Sequence, residues 1–271
     1  MFVGGFFAGG TFMPGHVSAG RAKLVEAAMR DPAWRLVRLV AHALLGRHGF
    51  DVIDLVDRPE LVSLRAVYEV SLENATRLAT GPERPLTELG VGFADGEDHG
   101  AALATCSSLP ALTTLGLHLS TDPHTWLAEA PVMQRIRRLV VGLDFGYALS
   151  AFTAFVDTCV RRPEPLREIL VRTGAGPLFG ASSWTLRLMR DRAPGPFTRV
   201  VGRYESPKES RVRSAAYHLR ALSAVSPATL ASLELDTCRS TVKLSAAERE
   251  VLDETLAPFA QLPFQRPWAT P

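Results

Sequence analysis

One short pattern recurs along this chain at a spacing close to 25 residues, and it limits the possible folds more than any other feature. It reads apolar, two variable, apolar, one variable, apolar. Clear copies are Leu86-x-x-Leu89-x-Val91, Leu112-x-x-Leu115-x-Leu117, Ile136-x-x-Leu139-x-Val141 and Leu166-x-x-Ile169-x-Val171. Weaker copies precede them at Leu36-x-x-Leu39 and Leu61-x-x-Leu64-x-Ala66, and follow them at Phe197-x-x-Val200 and Leu230-x-x-Leu233-x-Leu235. Successive first positions differ by 25, 25, 26, 24, 30, 31 and 33 residues, so the early copies are nearly in step and the later ones drift.

Alternating apolar residues form a strand with one buried face. The central copies carry the alternation one step further, to Phe93, Leu119 and Leu143. One such strand cannot hide its apolar face alone, whereas parallel copies stacked side by side build a continuous core. Parallel neighbours need a crossover of about a dozen residues, and the spacing leaves room for one. Residues 99–108 and 148–160 are Ala-rich and free of proline, as crossover helices would be, and residues 184–192 offer a further helix. Pro110, Pro131, Pro165 and Pro196 each lie just ahead of a strand, where proline ends a helix and sets an extended approach.

With these repeats the chain resembles leucine-rich-repeat proteins, the units being LTELGVGF (86–93), LTTLGLHL (112–119), IRRLVVGL (136–143) and LREILVRT (166–173). It is most similar to bacterial members whose units begin PxLxxLxL, as at Pro85 and at Pro110-Ala111-Leu112. The resemblance spans residues 34–240. It implies an α/β solenoid, a curved parallel sheet with helices on the convex side. The family usually places Asn or Cys after each strand to form a hydrogen-bonded ladder. Asn74 is the only asparagine here and does not stand in that position, so irregular turns are expected.

A solenoid needs its two end faces capped. Residues 1–33 are read as an N-terminal capping segment, with an amphipathic helix over 17–29 and Ser18 as a candidate N-cap. Residues 241–271 are read as a C-terminal cap. There Ser245-Ala-Ala-Glu248 forms a capping box ahead of a helix over 249–256, with Val251, Leu252 and Leu256 on one face and Pro258 at its end. Between 199 and 244 the period breaks down. Residues 211–222 suit a strand or a helix, and Thr241-Val-Lys-Leu244 leaves a short antiparallel C-terminal hairpin with 233–235 as one alternative.

If the alternation holds, the residues between the core positions point into the curve. One column reads Arg38, Ser63, Glu88, Thr114, Arg138, Glu168, Arg199, Ser232. The next reads Val40, Arg65, Gly90, Gly116, Val140, Leu170, Val201, Glu234, and a third includes His118, Arg172 and Arg203. Arginines beside exposed aliphatic residues suit an interface core with a polar rim. The expected partner-binding set is therefore Arg38, Arg65, Glu88, Thr114, His118, Arg138, Val140, Glu168, Leu170, Arg172 and Arg199. The plainer reading is a solvated sheet surface, or one covered by a flanking domain.

Composition points the same way. Net charge is +2, which makes no case for nucleic acid or an anionic membrane. Cys106, Cys159 and Cys238 are too few and too scattered for a disulfide framework or a zinc knuckle. No apolar run is long enough for a membrane span, and the Gly-rich start at 1–13 lacks a basic n-region, so a cytoplasmic location is expected. Gly174-x-Gly176-x-x-x-Gly180 has its third glycine one place too far for a dinucleotide loop, and Pro177 removes a backbone donor. Asp95, Glu97, Asp98 and His99 match no metal-loop spacing. No H-E-x-x-H or G-x-S-x-G occurs. The expectation is a non-catalytic protein-interaction scaffold without cofactor, metal or small-molecule ligand. The alternative is the recognition part of a larger effector or enzyme.

Overall fold

The computed structural model describes residues 2–3, 6–7, 9–10, 32, 39–40, 43–44, 61–93, 102–119, 130–143, 165–173, 184–204, 231–237 and 246–262. The chain divides into two compact units, Met1–His118 with Glu129–Ile136, and Leu119–Ala128 with Arg137–Pro271. The expected helices over 17–29 and 148–160, and the alternatives at 211–222 and 241–244, lie outside the described residues.

In the first unit, β1 (Phe2–Val3) and β2 (Phe6–Phe7) form a short antiparallel pair. A parallel run follows, from β3 (Gly9–Gly10) through β4 (Leu39–Val40), β6 (Ser63–Val70) and β7 (Glu88–Phe93) to β8 (Thr114–Leu119). β5 (Ala43–Leu44) also pairs with β6. In the second unit, β9 (Arg138–Leu143) and β10 (Glu168–Thr173) are parallel. β11 (Trp184–Met189) runs antiparallel to both β10 and β12 (Arg199–Tyr204), and β13 (Ser232–Thr237) returns parallel to β12. The architecture is α/β, with mostly parallel strands.

The apolar pattern forms the core. Every described first position from Leu61 to Phe197 is buried, as is every described second position from Leu64 to Leu233. Val91, Leu117, Val141 and Val171 are buried at the third. Each such side chain contributes about 1.5–3 kcal/mol when fully removed from water.

Within each unit, successive repeats are also joined along the backbone. Thr87 donates its amide to the Val62 carbonyl at 2.8 Å and its hydroxyl at 3.0 Å. Thr113 donates its amide to the Thr87 carbonyl at 3.0 Å. In the second unit Arg167 N–H reaches the Arg137 carbonyl at 2.7 Å. Each of these residues stands immediately ahead of its strand. A ladder therefore exists, but it lies before the strands and is made by the main chain and threonine, with no asparagine.

A helix that the sequence pattern does not single out, α1 (Leu72–Thr80), crosses from β6 towards β7. Ser71 is its N-cap, its hydroxyl accepting the Asn74 amide at 3.2 Å, and Glu73 sits favourably in the first turn. Ala75, Leu78 and Ala79 form its buried face. Its orphan C-terminal carbonyls are satisfied partly by the following repeat. The Leu78 carbonyl accepts from Arg84 Nη1 at 3.3 Å and from the Ser108 hydroxyl, and the Ala79 carbonyl accepts the Ser107 amide at 3.3 Å. The relationship recurs one repeat later, where Arg135 Nη2 donates to the Cys106 carbonyl. Residues 102–104 are helical, within the expected 99–108 segment. α2 (Ala246–Leu256) occupies the expected C-terminal position, with Leu256 buried, and a 3-10 turn at Ala257–Phe259 carries Pro258.

Three expectations need correction. Residues 184–189 form a strand, not part of a helix. Trp184, Leu186 and Leu188 alternate with Thr185, Arg187 and Met189, a period of two that suits a strand. The register of the first copy slips by one, so that Leu39 opposes Ser63 and Val40 opposes Leu64. Val40 is therefore in register with Leu64, a core position, and not with Arg65 as the second column implies. Pro131 opens a 3-10 turn (Pro131–Gln134) rather than an extended approach, because proline fits the first helical position, where no N–H is needed.

Candidate interaction face

The strand register decides which of the expected binding residues stand opposite one another. In the first unit Ser63 opposes Glu88, and Glu88 opposes Thr114. The Ser63 hydroxyl donates to Glu88 Oε2 at 2.5 Å. Ser63 is buried and Glu88 half-buried. Arg65 falls where β6 has an extra residue against β7: Leu64 opposes Leu89, but the next partner of Val91 is Val67 in place of Ala66. Such a bulge locally breaks the alternation. His118 opposes Gly92 in the register of β7 and β8. Arg38 lies outside the described residues.

The second unit concentrates charge. Arg138 opposes Glu168, Val140 opposes Leu170, and Gly142 opposes Arg172. Glu168 Oε1 lies 3.3 Å from Arg138 Nε and 3.0 Å from Arg187 Nε. These are contacts between charges without directed hydrogen-bond geometry at that oxygen. The Glu168 side chain is 23% exposed, against 37% for Arg138 and 45% for Arg187. Glu168 Oε1 and Arg138 Nε are themselves shielded from water while the rest of the side chains is partly exposed, so the pairs are partly screened and orient three side chains more than they stabilise the fold.

Arg187 is the residue that the sequence pattern misses, because the strand β11 falls outside the repeat spacing, in a segment that reads as a helix. β11 also separates β10 from β12, so Glu168 and Arg199 are not neighbours as the column implied. Met189 stands between them, paired with Glu168 on one side and Arg199 on the other. Arg187 opposes Leu170 and Val201. Leu170 is only 4% exposed, so it is not the open position its column suggested. Val140 and Val201 are half-buried, and Arg199 is exposed.

The turn that delivers β12 is built around a buried arginine. Arg190 is 4% exposed. It donates through Nε to the Leu166 carbonyl at 2.7 Å and through Nη1 to the Gly195 carbonyl at 2.8 Å, with its guanidinium 5.3 Å from the Phe197 ring centre. The same segment contains a cis Ala193–Pro194 bond and Gly195 at φ +150°, a conformation that favours glycine.

Among the described residues no group of three or more His, Cys, Asp or Glu side chains is placed to hold a metal ion, and Cys106 is a buried free thiol. The Asp95–His99 cluster and the Gly174–Gly180 run lie outside the described residues. No described helix is long and apolar enough to cross a membrane. No family model matches the chain, and neither a curated protein nor a solved structure is significantly similar to it.

Proposed function

We propose that this chain is a non-catalytic protein-interaction scaffold, whose repeats stack within each unit as in a leucine-rich-repeat solenoid and whose non-core sheet face receives a protein partner. What carries the reading is the surface of β9–β12. There Arg138, Glu168 and Arg187 hold one another in place, with half-buried Val140 and Val201 and exposed Arg199 nearby. Oriented charge beside partly exposed aliphatic residues is the make-up of an interface with a polar rim. The expected site of action is the cytoplasm.

The handing of helix-end carbonyls from one repeat to the next supports the stacked arrangement, since nearest-neighbour coupling is the defining property of repeat proteins. Threonine and main-chain bonds ahead of the strands take over the role that asparagine has in regular members of that family.

The test is affinity capture from a native lysate with the wild-type protein and with a Val140→Asp, Val201→Asp variant shown by circular dichroism to be folded. The reading predicts a protein retained by the wild type and lost by the variant. Identical captured sets from both proteins would count against this face.

A further inference from the structure

We propose that the entry edge of β9 and β10 binds a phosphate monoester carried on a Ser or Thr side chain of a protein partner. The site adjoins the proposed interaction face and rests on that reading only for the source of the phosphate. Its residues are Arg137, Arg167 and Arg192, all three exposed. Arg137 and Arg167 each stand one residue ahead of a strand. The register pairs Arg138 with Glu168, and the Arg167 amide donates to the Arg137 carbonyl at 2.7 Å, so the two arginines are side-by-side neighbours. One residue further on, the same two strands set opposite charges against each other, with Glu168 3.3 Å from Arg138. At the edge they set like charges against each other, a destabilising placement that a bound anion relieves. Among the described residues no carboxylate forms an ion pair with Arg137, Arg167 or Arg192. Neighbouring strands are about 4.8 Å apart, a span that one phosphate can bridge.

Arg167 is also held in place. Its Nη1 donates to the Asp191 carbonyl at 2.7 Å, which sets the guanidinium against the β11–β12 turn, where Arg192 is the next residue. That turn is itself fixed by buried Arg190, which bonds the Leu166 and Gly195 carbonyls. Asp191 is the one acidic residue of the turn, and it is its carbonyl, not its carboxylate, that takes Arg167. An arginine oriented before the ligand arrives loses less freedom on binding.

The ligand chemistry follows from the number of arginines. A carboxylate brings one charge and two oxygens, which suit a single guanidinium fork. A phosphate monoester brings nearly two charges and three acceptor oxygens, and clustered arginines are a recurring way of recognising it. A nucleic acid asks for a basic track several phosphates long. Here the next row inward already sets Arg138 against Glu168, and the whole chain carries a net charge of only +2.

The experiment is a nuclear magnetic resonance titration of the intact, nitrogen-labelled protein. The probes are a capped Gly-phosphoserine-Gly peptide, its Ser and Glu counterparts, inorganic phosphate and a short single-stranded oligonucleotide. The phosphopeptide is expected to give saturable shifts centred on the amides of Arg137, Arg167 and Arg192, and to bind about fivefold or more tighter than the Glu peptide. Binding should weaken between about pH 7.5 and about pH 5, as the phosphate loses its second charge. Arg137→Gln, Arg167→Gln should weaken it about tenfold, and Arg167→Lys should also weaken it, because lysine keeps the charge but lacks the fork. Arg77→Gln, an exposed change in α1, is expected to leave it within about twofold. Absence of saturation, shifts centred elsewhere, or equal binding of the Glu peptide overturns the proposal, as does tighter binding of the oligonucleotide. Inorganic phosphate binding as tightly as the phosphopeptide refutes a partner as the source. A native partner lost in Val140→Asp, Val201→Asp but retained after phosphatase treatment refutes the phosphate occupant and leaves the interaction face standing.

Discussion

Arg187 Nε lies 3.0 Å from Glu168 Oε1, joining two antiparallel strands through a pair that the repeat pattern alone does not place together. Arg138 reaches the same oxygen from the parallel side at 3.3 Å. One carboxylate thus links the regular part of the second unit to its antiparallel insertion. Both arginines are well exposed, so Glu168→Gln is expected to cost less than about 1 kcal/mol, and less still at high salt. Urea unfolding at two ionic strengths checks this. A loss of several kcal/mol, independent of salt, would show that the carboxylate has a different structural role.

The buried arginine behind β11 is expected to behave differently. Arg190→Met removes donors to the Leu166 and Gly195 carbonyls, each at a cost of about 1–3 kcal/mol if the carbonyl stays buried and unsatisfied. Thermal unfolding should report a drop far larger than that of Glu168→Gln. Hydrogen exchange should quicken first at the amides of β11 and β12. Unchanged stability would mean that water replaces the guanidinium there.

Gly81 is held small by its surroundings rather than by its backbone angles. A Cβ at this position would lie 2.6 Å from the Arg77 carbonyl oxygen and 2.8 Å from Arg84 Nη2. The first contact is with backbone and cannot move aside easily. Gly81→Ala is expected to destabilise by about 1–3 kcal/mol. The penalty should persist in an Arg84→Ala background, because the clash with Arg77 remains. Stability equal to wild type in chemical denaturation would contradict the helix-end geometry.

Leu89 sits at the second pattern position and is fully buried. Leu89→Ala should cost about 2–5 kcal/mol through lost burial and the cavity left behind. The urea midpoint should fall with little change in slope. Glu88→Ala, one residue away on the other face, removes a hydrogen bond to Ser63 and no core volume, so its effect should be smaller.

Much of this was legible in the sequence. The apolar triplets named the buried residues, because burial of one face fixes the parity of a strand. They also set the parallel pairing of Glu88 with Thr114 and of Arg138 with Glu168. What stayed hidden has physical reasons. β11 alternates with period two but breaks the repeat spacing, so the repeat pattern passes over it and over Arg187. The slip at Leu39 and the bulge after Leu64 come from pairing details that an apolar pattern does not encode. The bonds from Arg84 and Ser108 to the Leu78 carbonyl join residues on different elements, and no local motif announces them.

The strand register underlies both the core and the proposed face, and inter-strand nuclear Overhauser effects in isotopically labelled protein read it most directly. Parallel contacts are expected between the backbones of Gly90 and Gly116 and of Val140 and Leu170, with antiparallel contacts between Leu170 and Arg187. A register displaced by one residue, or contacts placing β10 directly beside β12, would contradict it.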